Sequence, residues 1–107
     1  MRITNQQIEQ LIQVISPFVS NHAAELRLYG SRVQDHRRGG DIDLLLLVEQ
    51  SHLADLINEK KHYLMAGIKN QLGDQKIDLL ISDRSCTQHQ SFLKMILPES
   101  VCLKKWS

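Results

Sequence analysis

Asp41-Ile42-Asp43-Leu44-Leu45-Leu46-Leu47-Val48-Glu49 is the stretch whose reading decides the fold. After Asp43 it is apolar on both faces, which marks a central strand covered on two sides. Side chains alternate across a strand, so Asp41 and Asp43 leave the same face, roughly 6–7 Å apart along the chain. Two like charges at the mouth of the most hydrophobic strand repel each other and lose solvation, so their ionised state needs compensation. A divalent cation supplies it, and hard oxygen ligands suit magnesium. Read alone, the same pattern also fits aspartates that flank a strand end and face water.

Upstream, Thr4 and Gln7 have capping-box spacing, which starts a helix near Asn5. Ile8, Leu11, Ile12, Ile15, Phe18 and Val19 then recur at helical intervals, with Pro17 near the end as a kink or stop. Glu25-Leu26-Arg27-Leu28-Tyr29 alternates as a half-buried strand and runs into Gly30-Ser31-Arg32. Glycine lets backbone approach a ligand closely, and free N–H groups at a helix start attract phosphate. The Ser31 hydroxyl can donate to a phosphate oxygen, and Arg32 adds positive charge. In isolation these residues read first as a plain strand-to-helix turn with Ser31 as N-cap. The segment from Val33 to Gly40 is polar, basic and closed by two glycines, as in a loop.

Downstream, the pattern predicts one long helix from a Ser51 cap to about Leu72, with Leu53, Leu56, Ile57, Leu64 and Ile68 as its buried stripe and Gly73 as its stop. Gln75-Lys76-Ile77-Asp78-Leu79-Leu80-Ile81-Ser82 is a third strand. Asp78 inside that apolar run is costly unless it meets a cation or hydrogen-bond donors. If its strand neighbours that of Asp41, three carboxylates converge and can hold two metal ions. The competing reading pairs Asp78 with Lys76 or Arg27. A short helix over Thr87 to Leu97 stops before Pro98, and Val101-Cys102-Leu103 adds an edge strand. Two long apolar strands need helices against them, so the class is mixed α and β in a single domain, 1–107. Strand order and direction stay open.

The 107 residues carry 13 basic and 12 acidic side chains, a formal charge of +1, which argues against direct coating of nucleic acid. The polar start, Met1-Arg2-Ile3-Thr4-Asn5, is unlike a signal peptide, and no apolar run reaches membrane-spanning length. Cys86 and Cys102 form no CxxC and are expected to be small buried hydrophobes in a reducing, cytoplasmic setting. The five histidines, at 22, 36, 52, 62 and 89, show no metal-ligand spacing and read as solvated, with His36 in the loop beside the aspartates. Phe92, Met95 and Ile96 read as core or interface, and an exposed Trp106 could dock on a partner.

Gly30-Ser31, a nine-residue spacer, Asp41-Ile42-Asp43-Leu44 and the later Ile77-Asp78-Leu79 resemble the DNA polymerase β-type nucleotidyltransferase superfamily. The short length and the run Leu28-Tyr29-Gly30-Ser31-Arg32 … Gly39-Gly40-Asp41-Ile42-Asp43-Leu44 resemble its minimal nucleotidyltransferases, often encoded beside a HEPN-domain partner as the antitoxin of a toxin–antitoxin pair. Asp35 and Gly40 depart from the family pattern, where many relatives have glycine and serine. The resemblance implies a small mixed β-sheet with helices mainly on one face. It implies that Asp41 and Asp43 bind two Mg2+ ions, and that Asp78 binds the catalytic one and helps deprotonate the attacking hydroxyl. Gly30 and Ser31, with Arg32 beside them, would hold the β- and γ-phosphates of ATP. The implied reaction is AMP transfer to an acceptor hydroxyl, such as a tyrosine of a HEPN toxin, and the alternative is an antitoxin that neutralises its partner by contact alone.

Overall fold

The computed structural model describes residues 3–30, 42–86 and 89–107. Helix α1 (Asn5–Val19) is followed by strands β1 (Ala24–Tyr29) and β2 (Ile42–Val48), helices α2 (Ser51–Glu59) and α3 (Lys61–Leu72), strand β3 (Ile77–Asp83), helix α4 (Gln90–Ile96), a 3-10 turn at Leu97–Glu99, and strand β4 (Val101–Trp106). The class is mixed α and β, as the sequence pattern predicts.

The strands form one sheet in the order β3-β2-β1-β4. β2 runs parallel to β3, with Asp43 opposite Asp78 and Leu45 opposite Leu80. β1 lies antiparallel to β2, with Tyr29 opposite Asp43. β4 closes the far edge antiparallel to β1. The parallel pair is connected through α2 and α3, as a parallel pair requires a long crossover.

The central position of β2 explains its sequence. Ile42, Leu44, Leu46 and Val48 point into the main core with Leu26 and Leu28 of β1, Leu79 and Ile81 of β3, and the buried stripes of α1, α2 and α3. Leu45 and Leu47 point the other way and meet Leu93 and Ile96 of α4. Helices therefore cover both faces, three on one and the short α4 on the other. Burying each of these leucines is worth about 1.5–3 kcal/mol, so the strand is held from two sides.

Local signals at the helix ends are realised where side chains supply bonds. The Thr4 Oγ1 accepts from the Gln7 backbone N–H at 3.0 Å, and the Gln7 Oε1 accepts from the Thr4 N–H at 2.9 Å. Pro17 lies inside α1, which continues to Val19. Gly73, at φ 74°, ends α3 and donates its N–H to the Lys69 carbonyl at 2.8 Å.

Several expectations are corrected. The single helix from Ser51 to Leu72 is two helices broken at Lys60, which has φ −104° and ψ 13°. The Lys60 N–H turns to the Ile57 carbonyl at 3.0 Å, tightening the last turn of α2, and α3 restarts against α1 while α2 stays over β2 and β3. The α2 N-cap is Gln50, without a side-chain bond, so Ser51 does not cap. Leu56 is 48% exposed and leaves the buried stripe, because the break lets α2 face the sheet with Leu53, Ala54 and Ile57 alone. Cys102 is exposed and Cys86 half-buried, so neither is a core residue. Trp106 is half-buried, not free, because its Nε1–H donates to the Ser16 Oγ at 3.1 Å and its ring packs on the main core. His89 is also not a solvated histidine: it is half-buried, with Nδ1 2.7 Å from the Ser82 Oγ. Met95 is 64% exposed, unlike its neighbours Phe92 and Ile96.

Candidate active site

The site is a consequence of strand register. β1 and β2 pair so that Tyr29 lies beside Asp43, and β2 and β3 pair so that Asp43 lies beside Asp78. Tyr29, Asp43 and Asp78 therefore form one row across three neighbouring strands. Alternation puts Asp43 on the same face as Leu45 and Leu47, the face that α4 partly covers. Asp43 is half-buried and Asp78 exposed. Adjacent strands lie about 4.8 Å apart, so the two carboxylates stand within mutual reach.

Gly30 ends β1 immediately beside this row. Its φ is +79°, and a Cβ built there would lie 2.5 Å from Asp43 Oδ2 and 3.3 Å from its Cγ. A side chain at position 30 and the Asp43 carboxylate would compete for the same space. Glycine is required twice at this position, by the left-handed backbone and by the closeness of the carboxylate.

The electrostatics follow from this geometry. Two negative charges about 5 Å apart repel by roughly 1 kcal/mol even in water, and by more where water is partly excluded. The Tyr29 phenol feels both: burial first, then the charges of Asp43 and Asp78, push its pKa above the usual tyrosine range. It stays protonated and can donate a hydrogen bond. Of the two competing partners for Asp78, Lys76 and Arg27, the second is engaged elsewhere. Arg27 Nη1 donates to Glu25 Oε1 at 2.7 Å, and Arg27 Nε donates to the Ser100 Oγ at 2.6 Å. Glu25 also pairs with Arg84. Burial alone would raise the Glu25 pKa, but the hydrogen bonds and charges of Arg27 and Arg84 outweigh it and hold it below the ordinary carboxylate value.

Of the residues singled out in the sequence, Gly30, Asp43 and Asp78 come together. Asp41, Ser31 and Arg32 lie outside the described residues. Among the described residues no group of three His, Cys, Asp or Glu forms a metal cluster. The donor set that is described still fits a hard divalent cation: two carboxylates on one face, side by side, with at least one open to water. One sequence argument needs correction. Asp78 is not a carboxylate forced into the core, because β3 is the sheet edge and Asp78 is exposed on it.

Beside Tyr29 and Gly30 a cavity of about 300 Å³ opens between the end of β1 and α4, lined also by Phe92, Met95, Ile96 and Glu99. The Tyr29 and Phe92 rings meet edge to face, with centroids 5.7 Å apart and planes at 83°. Sequence reading passes over Tyr29 and Glu99, since only strand register and the packing of α4 bring them to the aspartates.

No protein-family model matches this chain, and no curated protein matches it. Among the described residues no helix is long and apolar enough to cross a membrane.

Proposed function

We propose that this chain is a magnesium-dependent nucleotidyltransferase that moves AMP from ATP to a hydroxyl group of a protein partner. The observation that carries the reading is the side-by-side placement of Asp43 and Asp78, with Gly30 pressed against Asp43. Like charges directly opposite on neighbouring strands work against the sheet, and a divalent cation held by both carboxylates would offset that cost. The Gly-Ser and Asp-Ile-Asp motifs and their resemblance to the polymerase β-type superfamily supply the reaction class.

Asp43 and Asp78, with Asp41 contributed by the sequence argument, would hold two Mg2+ ions. When bound, these ions neutralise charge on the α-phosphate and the leaving group. Gly30 leaves the space in which a phosphate and the Asp43 carboxylate can approach one backbone. The Asp78 carboxylate, open to solvent, accepts the proton of the attacking hydroxyl. The hydroxyl oxygen forms a bond to the α-phosphorus, the bridge to the β-phosphate breaks, and pyrophosphate leaves. The neutral Tyr29 hydroxyl supplies a donor at the edge of the row.

The sequence resemblance points to a tyrosine of a HEPN-domain toxin as acceptor. Intact-mass measurement of such a partner after incubation with this protein, ATP and magnesium tests the reading. The expected result is an increase of one or more AMP units, lost in Asp43→Asn and in Asp78→Asn. Neutralisation of the partner by the Asp41→Ala, Asp43→Ala double variant at full strength, with no adduct, would reject catalysis in favour of neutralisation by contact.

A further inference from the structure

We infer that the cavity between β1 and α4 is the nucleobase subsite, and that it takes a base bearing an exocyclic amino group. The inference rests on the proposed triphosphate site, and four observations extend that site to the base. First, the cavity is continuous with it: Gly30 and Tyr29 line the cavity and also adjoin the Asp43 carboxylate. β1 is the strand next to β2, about 4.8 Å away, so a ribose on an α-phosphate held at Asp43 spans the step to Tyr29. A triphosphate wrapped round its metal can bring its nucleoside end and its terminal phosphate to the same side.

Second, the cavity has the right size. At about 300 Å³ it stands at the small end of ligand pockets, enough for one flat ring system and not for a peptide segment. Third, its walls suit a planar aromatic ligand. Phe92 and Tyr29 stand nearly perpendicular, so a base lying on the face of one ring meets the edge of the other. Met95, 64% exposed, and Ile96 add polarizable and apolar wall. Fourth, among the described residues the charged one in the lining is Glu99, which is exposed. A carboxylate repels phosphate, which keeps the triphosphate on the metal side. It accepts hydrogen bonds from an amino group, as on adenine, guanine or cytosine, and faces the carbonyl oxygens of uracil unfavourably.

The other cavities support no such assignment. The groove lined by Pro17, Phe18, Leu53, Leu56, Ile57 and Lys60 is apolar but lies on the face covered by α1, α2 and α3, away from the carboxylates. The half-buried His89 pairs with Ser82 at the opposite end of β3 from Asp78.

Titration calorimetry on the full chain with magnesium, using ATP, UTP and inorganic tripolyphosphate, tests the subsite separately from the triphosphate site. ATP is expected to bind at least roughly tenfold more tightly than tripolyphosphate, the size of one base–aromatic stacking contact. ATP is also expected to bind more tightly than UTP. Phe92→Ala should collapse the ratio of ATP to tripolyphosphate affinity toward one. Glu99→Ala, at an exposed position that does not endanger folding, should erase the preference for ATP over UTP. Tripolyphosphate binding with equal affinity for ATP and UTP, or variants that leave both ratios unchanged, would overturn the subsite and leave the triphosphate site standing. Failure of tripolyphosphate itself to bind in a magnesium-dependent way would overturn both.

Discussion

Gly30→Ala separates the demands of the backbone from the demands of the site. Alanine at φ +79° costs roughly 1–2 kcal/mol, because its Cβ crowds the following carbonyl in the left-handed region. In a domain of this size that lowers Tm by about 4–8 °C per kcal/mol. The second effect is local. The new Cβ falls 2.5 Å from Asp43 Oδ2, so the carboxylate must retreat by about 1 Å to reach ordinary contact. Displacement of a reacting group by about 1 Å costs on the order of 100-fold in rate. The variant should therefore fold, melt about 4–16 °C lower, and lose magnesium-dependent ATP binding and AMP transfer far beyond its stability loss. Gly73→Ala is the control: it also sits at positive φ, 74°, but its Cβ would meet nothing within 4 Å. It should lower Tm comparably and leave calorimetric ATP affinity unchanged. Should Gly30→Ala bind ATP as well as the parent protein, or Gly73→Ala lose as much affinity, the link between Gly30 and the carboxylate would be wrong.

Asp78→Asn should stabilise the metal-free protein, by up to about 1 kcal/mol, since it relieves repulsion between cross-strand like charges. The gain measured by urea unfolding in a chelator should disappear in magnesium, which stabilises only the parent. Tyr29 gives a pH signature. Its folded-state pKa is raised, so its contribution to stability is whole below the unfolded value of about 10 and is lost as pH climbs through the folded value. Removing Tyr63, the other of the two tyrosines, lets absorbance titration read Tyr29 alone; Asp43→Asn should move that titration downward. Glu25 has the opposite sign: its pKa is lowered, so its contribution is present above the unfolded value of about 4.3 and fades as pH falls through the folded one. Glu25→Gln should flatten the acid limb of stability. Leu46→Ala, at a fully buried position, should cost about 2–5 kcal/mol, whereas Leu56→Ala, 48% exposed, should stay within about 0.5 kcal/mol, read by denaturation followed through the single tryptophan.

Much of this molecule is legible along the chain because its signals are local. The Thr4 capping box, the period of α1, the Gly73 stop and the two-faced apolar run of β2 each depend on residues within a turn or a strand length of one another. Three expectations fail where the local signal is weak or shared. No glycine or proline marks the break at Lys60, so α2 and α3 read as one helix, and Leu56 reads as part of the buried stripe although it faces out. Asp78 looked like a buried carboxylate because an edge strand and a central strand carry similar apolar runs. Cys102 looked like core because small side chains say little about their own exposure.

The sequence by itself determined the strands, the first helix, the mixed α and β class and the two-residue spacing of Asp41 and Asp43. Backbone periodicity fixes these whatever the rest of the chain does. Only the tertiary structure decided that β3 lies beside β2, in the register that sets Asp78 against Asp43, and that β1 brings Tyr29 and Gly30 to the same row. Register across strands is settled by how whole apolar faces interlock, and a slip of one residue would have turned every one of these side chains to the opposite face.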